Sequence, residues 1–264
     1  MIICLASLEF STGLKCIYEQ IDDHYLKFGL VSFYYLKNQQ ELEQILTKVD
    51  YLLIDSGAHS FQHGTKVNFD EYTHLYANFI KRNTDNKRIL GFFEMDIDNV
   101  VGYEKVLEYR KVLEKVSDKI IPVWHNNRGV DEFIKMCEEH RGKRIAITGF
   151  ANNDITDGQY NLFINEAHKH NCYIHILGLT RFDLIKELNL GLYDSVDSSS
   201  WKQTGIYGGL DVVKKKFNLN RLSCFEGLRN VHYSNFLSLN FEAAKRIQDN
   251  YLNIDNSIKK EELN

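Results

Sequence analysis

The sequence predicts an α/β protein built as a single (β/α)8 TIM barrel, and three observations carry that expectation. Eight short runs rich in Ile, Val, Leu, Tyr and Phe are spread over about 200 residues, each followed by a segment of helical period. Several runs are continuously apolar, which suits parallel strands covered on both faces. No GxGxxG fingerprint follows the first run, so the open doubly wound sheet takes second place.

In chain order the runs are IICLA (2–6), LVSFYY (30–35), YLLID (51–55), ILGFFEMD (89–96), IIPVWH (120–125), RIAITG (144–149), YIHILG (173–178) and YDSVD (193–197). The clearest helix is FDEYTHLYANFIKRN, where Phe69, Tyr72, Tyr76, Phe79 and Ile80 share one stripe behind Asn68 as a cap. In YEKVLEYRKVLEKV the stripe is Val106, Tyr109, Val112, Leu113 and Val116. Further helical patterns lie at about 38–49, 130–140, 157–170, 181–189 and 240–251.

A chain of 264 residues divides into one or two domains at about 150 residues each, and α/β barrels reach this length as one unit. With no repeat, Gly/Ser linker or low-complexity tract, residues 1–264 read as one domain, the polar last dozen (NIDNSIKKEELN) being expected to fray. Hydrophobic residues at 44% and charged residues at 26% exclude the disordered and fibrous classes. No apolar run approaches the roughly 18–20 residues of a membrane span, and MIICLASLEF has no basic segment before its apolar stretch. A cytoplasmic protein with no membrane contact is expected. Cysteines at 4, 16, 137, 172 and 224 are odd in number and lack CxxC spacing, so neither a disulfide framework nor a zinc ribbon is expected. A net charge of −4 supplies no global attraction to nucleic acid, so any such binding needs a local basic face.

In a barrel the chemistry sits where strands end and βα loops begin. The polar residues there are Asp55-Ser56-Gly57 after the third run, Asp96 with Asp98 after the fourth, and His125-Asn126-Asn127 after the fifth. Gly149-Phe150, Leu177-Gly178 and Asp197-Ser198-Ser199-Ser200-Trp201 close the sixth, seventh and eighth. One Asp after an apolar run is most simply a helix cap or turn residue. Several carboxylates on one rim repel each other unless a substrate, metal or proton relieves them, so an acidic pocket suits metal binding or glycosyl transfer. His125, His175 and Asp197 lack the early HxH-type pair that metal-dependent hydrolase barrels use, so no metal and no cofactor is expected; His175 reads equally as an interior histidine bonded to a neighbour. Retaining glycosyl transfer needs two carboxyl groups about 5–5.5 Å apart, and Asp55 and Asp197 are the candidates across the barrel mouth.

At these residues the chain resembles a known family. The run Ile54-Asp55-Ser56-Gly57-Ala58-His59-Ser60-Phe61 is similar to the DSGGF/YQ motif of the tRNA-guanine transglycosylases. It is closer to the DSGAFS form of their phage and bacterial relatives, the DNA 7-deazaguanine transglycosylases (DpdA-like). His175-Ile176-Leu177-Gly178-Leu179-Thr180 resembles the family's H-x-(L/M)-G stretch, and Tyr193-Asp194-Ser195-Val196-Asp197-Ser198 the segment with the nucleophilic aspartate. Ile147-Thr148-Gly149-Phe150 sits where the family has its Gly-rich base-binding loop. The matches run in family order from about residue 50 to 200. The CxCxxC…H zinc site of the tRNA enzymes has no counterpart here and the chain is shorter than they are, which points to the compact DNA enzymes.

The resemblance implies a pentosyltransferase that exchanges guanine in DNA for a 7-deazaguanine base such as preQ0 through a covalent intermediate, in the host cytoplasm if phage-encoded. Asp197 would be the nucleophile, with Asp194 the alternative, and Asp55 the acid/base. Asp96 would bind the guanine-like edge, with His125 and the Gly149 backbone completing it. His59 would stack on the base and Leu177 cover its other side, while Ser56, Gly57 and Gly178 belong to the same loops. Lys202, Lys214, Lys215, Lys216, Arg221 and Arg229, interleaved with Trp201, Tyr207 and Phe217, suit phosphate contact and stacking, or else a solvated basic helix face. Three alternatives stand beside this reading. They are a tRNA substrate, an N-glycosidase acting on small nucleosides, and a non-catalytic base- or nucleic-acid-binding subunit; a homodimer or a companion subunit fits any of them.

Overall fold

The computed structural model describes residues 1–9, 23–24, 26–57, 60, 67–148, 155–179 and 181–199. Nine strand segments form one all-parallel sheet: β1 (Ile2–Ala6), β2 (Leu26–Ser32), β3 (Val49–Asp55), β4 (Ile89–Phe93), β5 (Ile120–Ile121), β6 (Val123–Trp124), β7 (Arg144–Thr148), β8 (Tyr173–Leu177) and β9 (Ser195–Ser198). Their order is β5-β4-β3-β2-β1-β9-β8-β7-β6. The two ends of that series, β5 and β6, are consecutive pieces of one strand split at Pro122. Proline has no N–H for the ladder, but its carbonyl accepts from Ala146 N–H at 2.8 Å. The sheet therefore curls into an eight-fold TIM-like barrel whose seam is bridged by the chain itself.

Helices α1 (Gln39–Lys48), α2 (Phe69–Asn83), α3 (Asp98–Val101), α4 (Tyr103–Glu114), α5 (Val130–Glu139), α6 (Tyr160–Lys169) and α7 (Phe182–Ile185) follow the strands. The Asn68 side chain caps α2 by accepting from Glu71 N–H at 3.3 Å, and Asn38 caps α1 in the same way. The expected stripe of α2 faces the barrel. Its Tyr76 hydroxyl donates to the carbonyls of Ile54 and Phe93, at 3.2 and 3.1 Å, and so ties the helix across β3 and β4.

Strand residues alternate between two environments. Ile2, Cys4, Ala6, Leu30, Leu53, Phe93, Ile121, Val123 and Ala146 fill the barrel interior. The intervening residues pack outward against the helices, in one layer around Val31, Ile54, Tyr76 and Phe92 and another around Trp124, Ile147, Phe163 and Ile176. Truncating a fully buried Leu or Phe in such layers costs about 2–5 kcal/mol.

All eight expected strands are present, with shifted ends. The second starts at Leu26 and stops at Ser32, because Phe33–Tyr35 turn away and Phe33 packs on Tyr76 and Phe79 at 4.9 Å. The fourth stops at Phe93; Glu94 still donates its N–H to the Ile121 carbonyl at 3.0 Å, while its side chain enters an ion-pair cluster. The helix expected at 181–189 amounts to the single turn Phe182–Ile185. The helix expected at 240–251 and the terminal dozen lie outside the described residues.

Candidate functional site

Parity and register bring the strand-end carboxylates to one rim. Asp55 ends β3 in register with Ser32 of β2, and Asp197 lies in β9 in register with Cys4 of β1. Asp55 Oδ2 accepts from Gly57 N–H at 2.8 Å in a tight turn. Gly57 holds φ +91°, and a Cβ there would stand 2.4 Å from Tyr34 Cβ, so this loop demands glycine. Burial, followed by repulsion from Asp96, Asp197 and Glu9, lifts the Asp55 carboxyl to about 7. That mutual repulsion marks four acidic groups gathered at one end of the barrel.

Asp197 is held from two sides. Its Oδ1 accepts from the backbone N–H of Gly178 at 2.8 Å and faces His175 Nε2 at 3.2 Å. Oδ2 has no hydrogen-bond partner among the described residues. Burial, with Asp197 close by, pushes the Cys4 thiol far up and keeps it protonated. Burial pushes His175 down, so its ring is neutral near pH 7.

Asp96 and His125 form a second pair, with Nε2 3.5 Å from Asp96 Oδ2 and 3.8 Å from Asp98 Oδ2. Burial pushes Asp96 up despite its histidine partner, and that partnership raises His125 in spite of burial. Beneath them lies a cluster that the sequence analysis passed over. Glu94, fully buried, takes Arg110 Nε at 2.5 Å, Arg128 Nη1 at 3.3 Å and Val123 N–H at 2.8 Å. Arg128 also grips Asp98 at 2.8 and 2.5 Å and lies over the Tyr103 ring. The two arginines hold Glu94 below the usual carboxylate range against its burial, and Arg128 braces the Asp96–Asp98 turn. Two signals marked this cluster in the sequence: Glu94 interrupts an apolar run, and Arg110 falls on the apolar stripe of α4, beside Val106, Tyr109 and Leu113.

Asp194 is not at this rim. It precedes β9 at the opposite, N-terminal end of the strands, where its carbonyl accepts from Ile2 N–H at 2.7 Å. Its buried carboxylate accepts from Ile174 N–H at 2.8 Å and Gly191 N–H at 2.6 Å, and pairs with His168 Nε2 at 2.7 Å. These are the bonds of a loop brace, and they set Asp194, the alternative nucleophile of the sequence reading, apart from Asp55 and Asp197. Ser56 is buried beside Asp55, its carbonyl accepting from the Tyr72 hydroxyl at 2.6 Å. Leu177 borders the interior cluster at the end of β8, and Gly178 follows it with φ +66°. His59, Gly149 and the basic group Trp201, Lys202, Lys214, Lys215, Lys216, Arg221 and Arg229 lie outside the described residues.

Ser32 and Glu9 also belong to the rim and were not foreseen. Ser32 N–H donates to Glu9 Oε1, and the buried Ser32 Oγ has no partner among the described residues. Two surface hollows lie elsewhere, one between α2 and α4 around Asp70 and Lys105, the other at the barrel floor around His168 and Tyr193. Neither includes Asp55, Asp96 or Asp197. Among the described residues, no group of three or more His, Cys, Asp and Glu is arranged to hold a metal ion. No helix among them is long and apolar enough to cross a membrane.

The fold and rim define a TIM-like barrel with an acidic mouth. No family model and no curated protein matches the chain.

Proposed function

We propose that this chain is a base-exchange glycosyltransferase that replaces guanine in DNA with a 7-deazaguanine base such as preQ0. One observation carries the reading: two inward carboxyls at one rim have unlike surroundings, Asp55 lifted to about 7 and Asp197 fixed through a single oxygen. Retaining glycosyl transfer needs such a pair, one group trading a proton near neutral pH and the other attacking carbon.

In the first half-reaction Asp197 Oδ2 bonds to C1′ of a flipped-out nucleotide as the C1′–N9 bond breaks. The protonated Asp55 delivers its proton to the departing guanine. In the second half, ionised Asp55 takes the N9 proton of the incoming base. The N9 electron pair then bonds to C1′, and the C1′–Oδ2 bond breaks to restore Asp197. Two inversions give net retention. Asp96 offers acceptor oxygens to the N–H edge of a guanine-like base, and His125 offers a donor to its carbonyl. His59, Gly149 and the basic group from Lys202 to Arg229 complete base and phosphate contacts in this reading.

The test is to incubate the purified chain with DNA and isotope-labelled preQ0, digest the polymer and weigh the nucleosides, with tRNA in a parallel arm. Label is expected in DNA, and Asp197→Ala is expected to abolish it while the circular dichroism spectrum stays native. Normal incorporation by Asp197→Ala refutes the mechanism. Label in tRNA alone identifies the other polymer, exchange on free nucleosides a small-substrate glycosidase, and DNA binding without exchange a non-catalytic subunit.

A further inference from the structure

Resting on that reading, we infer that His175 is a positioning residue for the nucleophile, the middle of a fixed hydrogen-bond relay that runs Arg144–Ser195–His175–Asp197 through the barrel interior. The links are 2.8 Å from Arg144 Nη1 to Ser195 Oγ, 2.7 Å from Ser195 Oγ to His175 Nδ1, and 3.2 Å from His175 Nε2 to Asp197 Oδ1. His175 is fully buried, and Phe93 meets its ring edge-on at 5.0 Å, so the imidazole has one orientation.

The chemistry of the ends sets the direction of every proton. A guanidinium only donates and an ionised carboxylate only accepts. A neutral imidazole carries one proton, so Nε2 must hold it to donate to Asp197, leaving Nδ1 as an acceptor. Ser195 therefore turns its single O–H toward Nδ1 and accepts from Arg144 with a lone pair. One assignment satisfies all four groups, and reversing it leaves two acceptors facing each other at Asp197.

The relay also answers a question of charge. Arg144 is half-buried, bonded to Ser195 and to the Tyr193 carbonyl at 2.9 Å, with no carboxylate in ion-pair contact among the described residues. Through Ser195 and His175 its positive end polarises the N–H that grips Asp197. With Gly178 N–H on the same oxygen, Oδ1 is saturated and Oδ2 is the atom left to attack C1′. The sequence signal was the Ser195-x-Asp197 alternation, which puts both side chains inward opposite His175 of β8.

Two measurements on the full chain test this. The first is the imidazole nitrogen–proton NMR correlation spectrum at neutral pH, with the His175 signal assigned by its loss in His175→Gln. A neutral ring protonated at Nε2 is expected, and Ser195→Ala should mix the tautomers. A ring protonated at Nδ1, or doubly, overturns the relay. The second is base exchange. His175→Phe should lower kcat by about 10- to 100-fold with KM little changed, the loss of one charge-assisted hydrogen bond. His175→Gln, which still presents an N–H toward Oδ1, should stay within about threefold of the parent. Equal losses in both variants, tracking the folded fraction, would reduce His175 to a packing residue. The proposals fail separately: an Nε2–H ring without base exchange removes the function and leaves the relay, whereas exchange with an Nδ1–H ring does the reverse.

Discussion

Replacing Asp55 by Asn should make the protein more stable at alkaline pH while removing exchange activity. Burial and the neighbouring Asp96, Asp197 and Glu9 lift this carboxyl from 3.8 to about 7. The fold therefore favours the protonated form. Asp55 is harmless below about pH 4 and becomes increasingly adverse as pH climbs from 3.8 through about 7. At about 1.4 kcal/mol per pH unit, the cost approaches an order of 4 kcal/mol above neutrality. Asp55 is a partly exposed rim residue and salt screens its neighbours, so the expected gain for Asn is about 1–3 kcal/mol. Asn Oδ1 can still accept from Gly57 N–H, so the turn survives. In a domain of this size each kcal/mol moves Tm by about 2–4 °C. Thermal unfolding of parent and variant between pH 4 and 8.5 should show curves that coincide at the acid end and separate by roughly 2–12 °C at pH 8. A constant offset, or a variant less stable than the parent at pH 8, would show that the rim does not strain Asp55.

Two further outcomes follow from the buried groups. Glu94→Gln should cost about 3–5 kcal/mol in urea unfolding, because Arg110 and Arg128 keep their charges in the interior without their shared counter-ion. Asp194→Ala should lose about 2–4 kcal/mol, since the N–H groups of Ile174 and Gly191 and the His168 ring lose their acceptor. Its folded fraction should still exchange base at the parental rate, whereas loss of kcat in fully folded Asp194→Ala would return that residue to the chemistry.

Strand existence was legible because each run is apolar enough to be buried on both sides, and the rim residues Asp55, Asp96, His125 and Asp197 followed from strand ends alone. Strand direction within a run was not legible. YDSVD holds two aspartates, and only the register Ile2–Ser195 shows that the strand begins after Asp194, sending the two to opposite faces of the barrel. Charges in apolar settings were undervalued for a related reason. Glu94, Arg110 and Arg128 are compatible with burial only as a set, and the members lie up to 34 residues apart. The same applies to Arg144, Ser195 and His175, each bland until the pleat stacks them.

The closure of the ring between its first and last strands has a consequence for how the chain reaches its final form. Because β1 pairs with β9 as well as with β2, the second edge of residues 2–6 stays open until residues 195–198 arrive. Until then the growing polypeptide presents a lone margin of unpaired amides at each side of a curved ribbon, open to docking by another molecule. Once the ring meets itself those margins vanish. A nascent or truncated product lacking β9 should therefore be the sticky species, and the finished barrel the inert one.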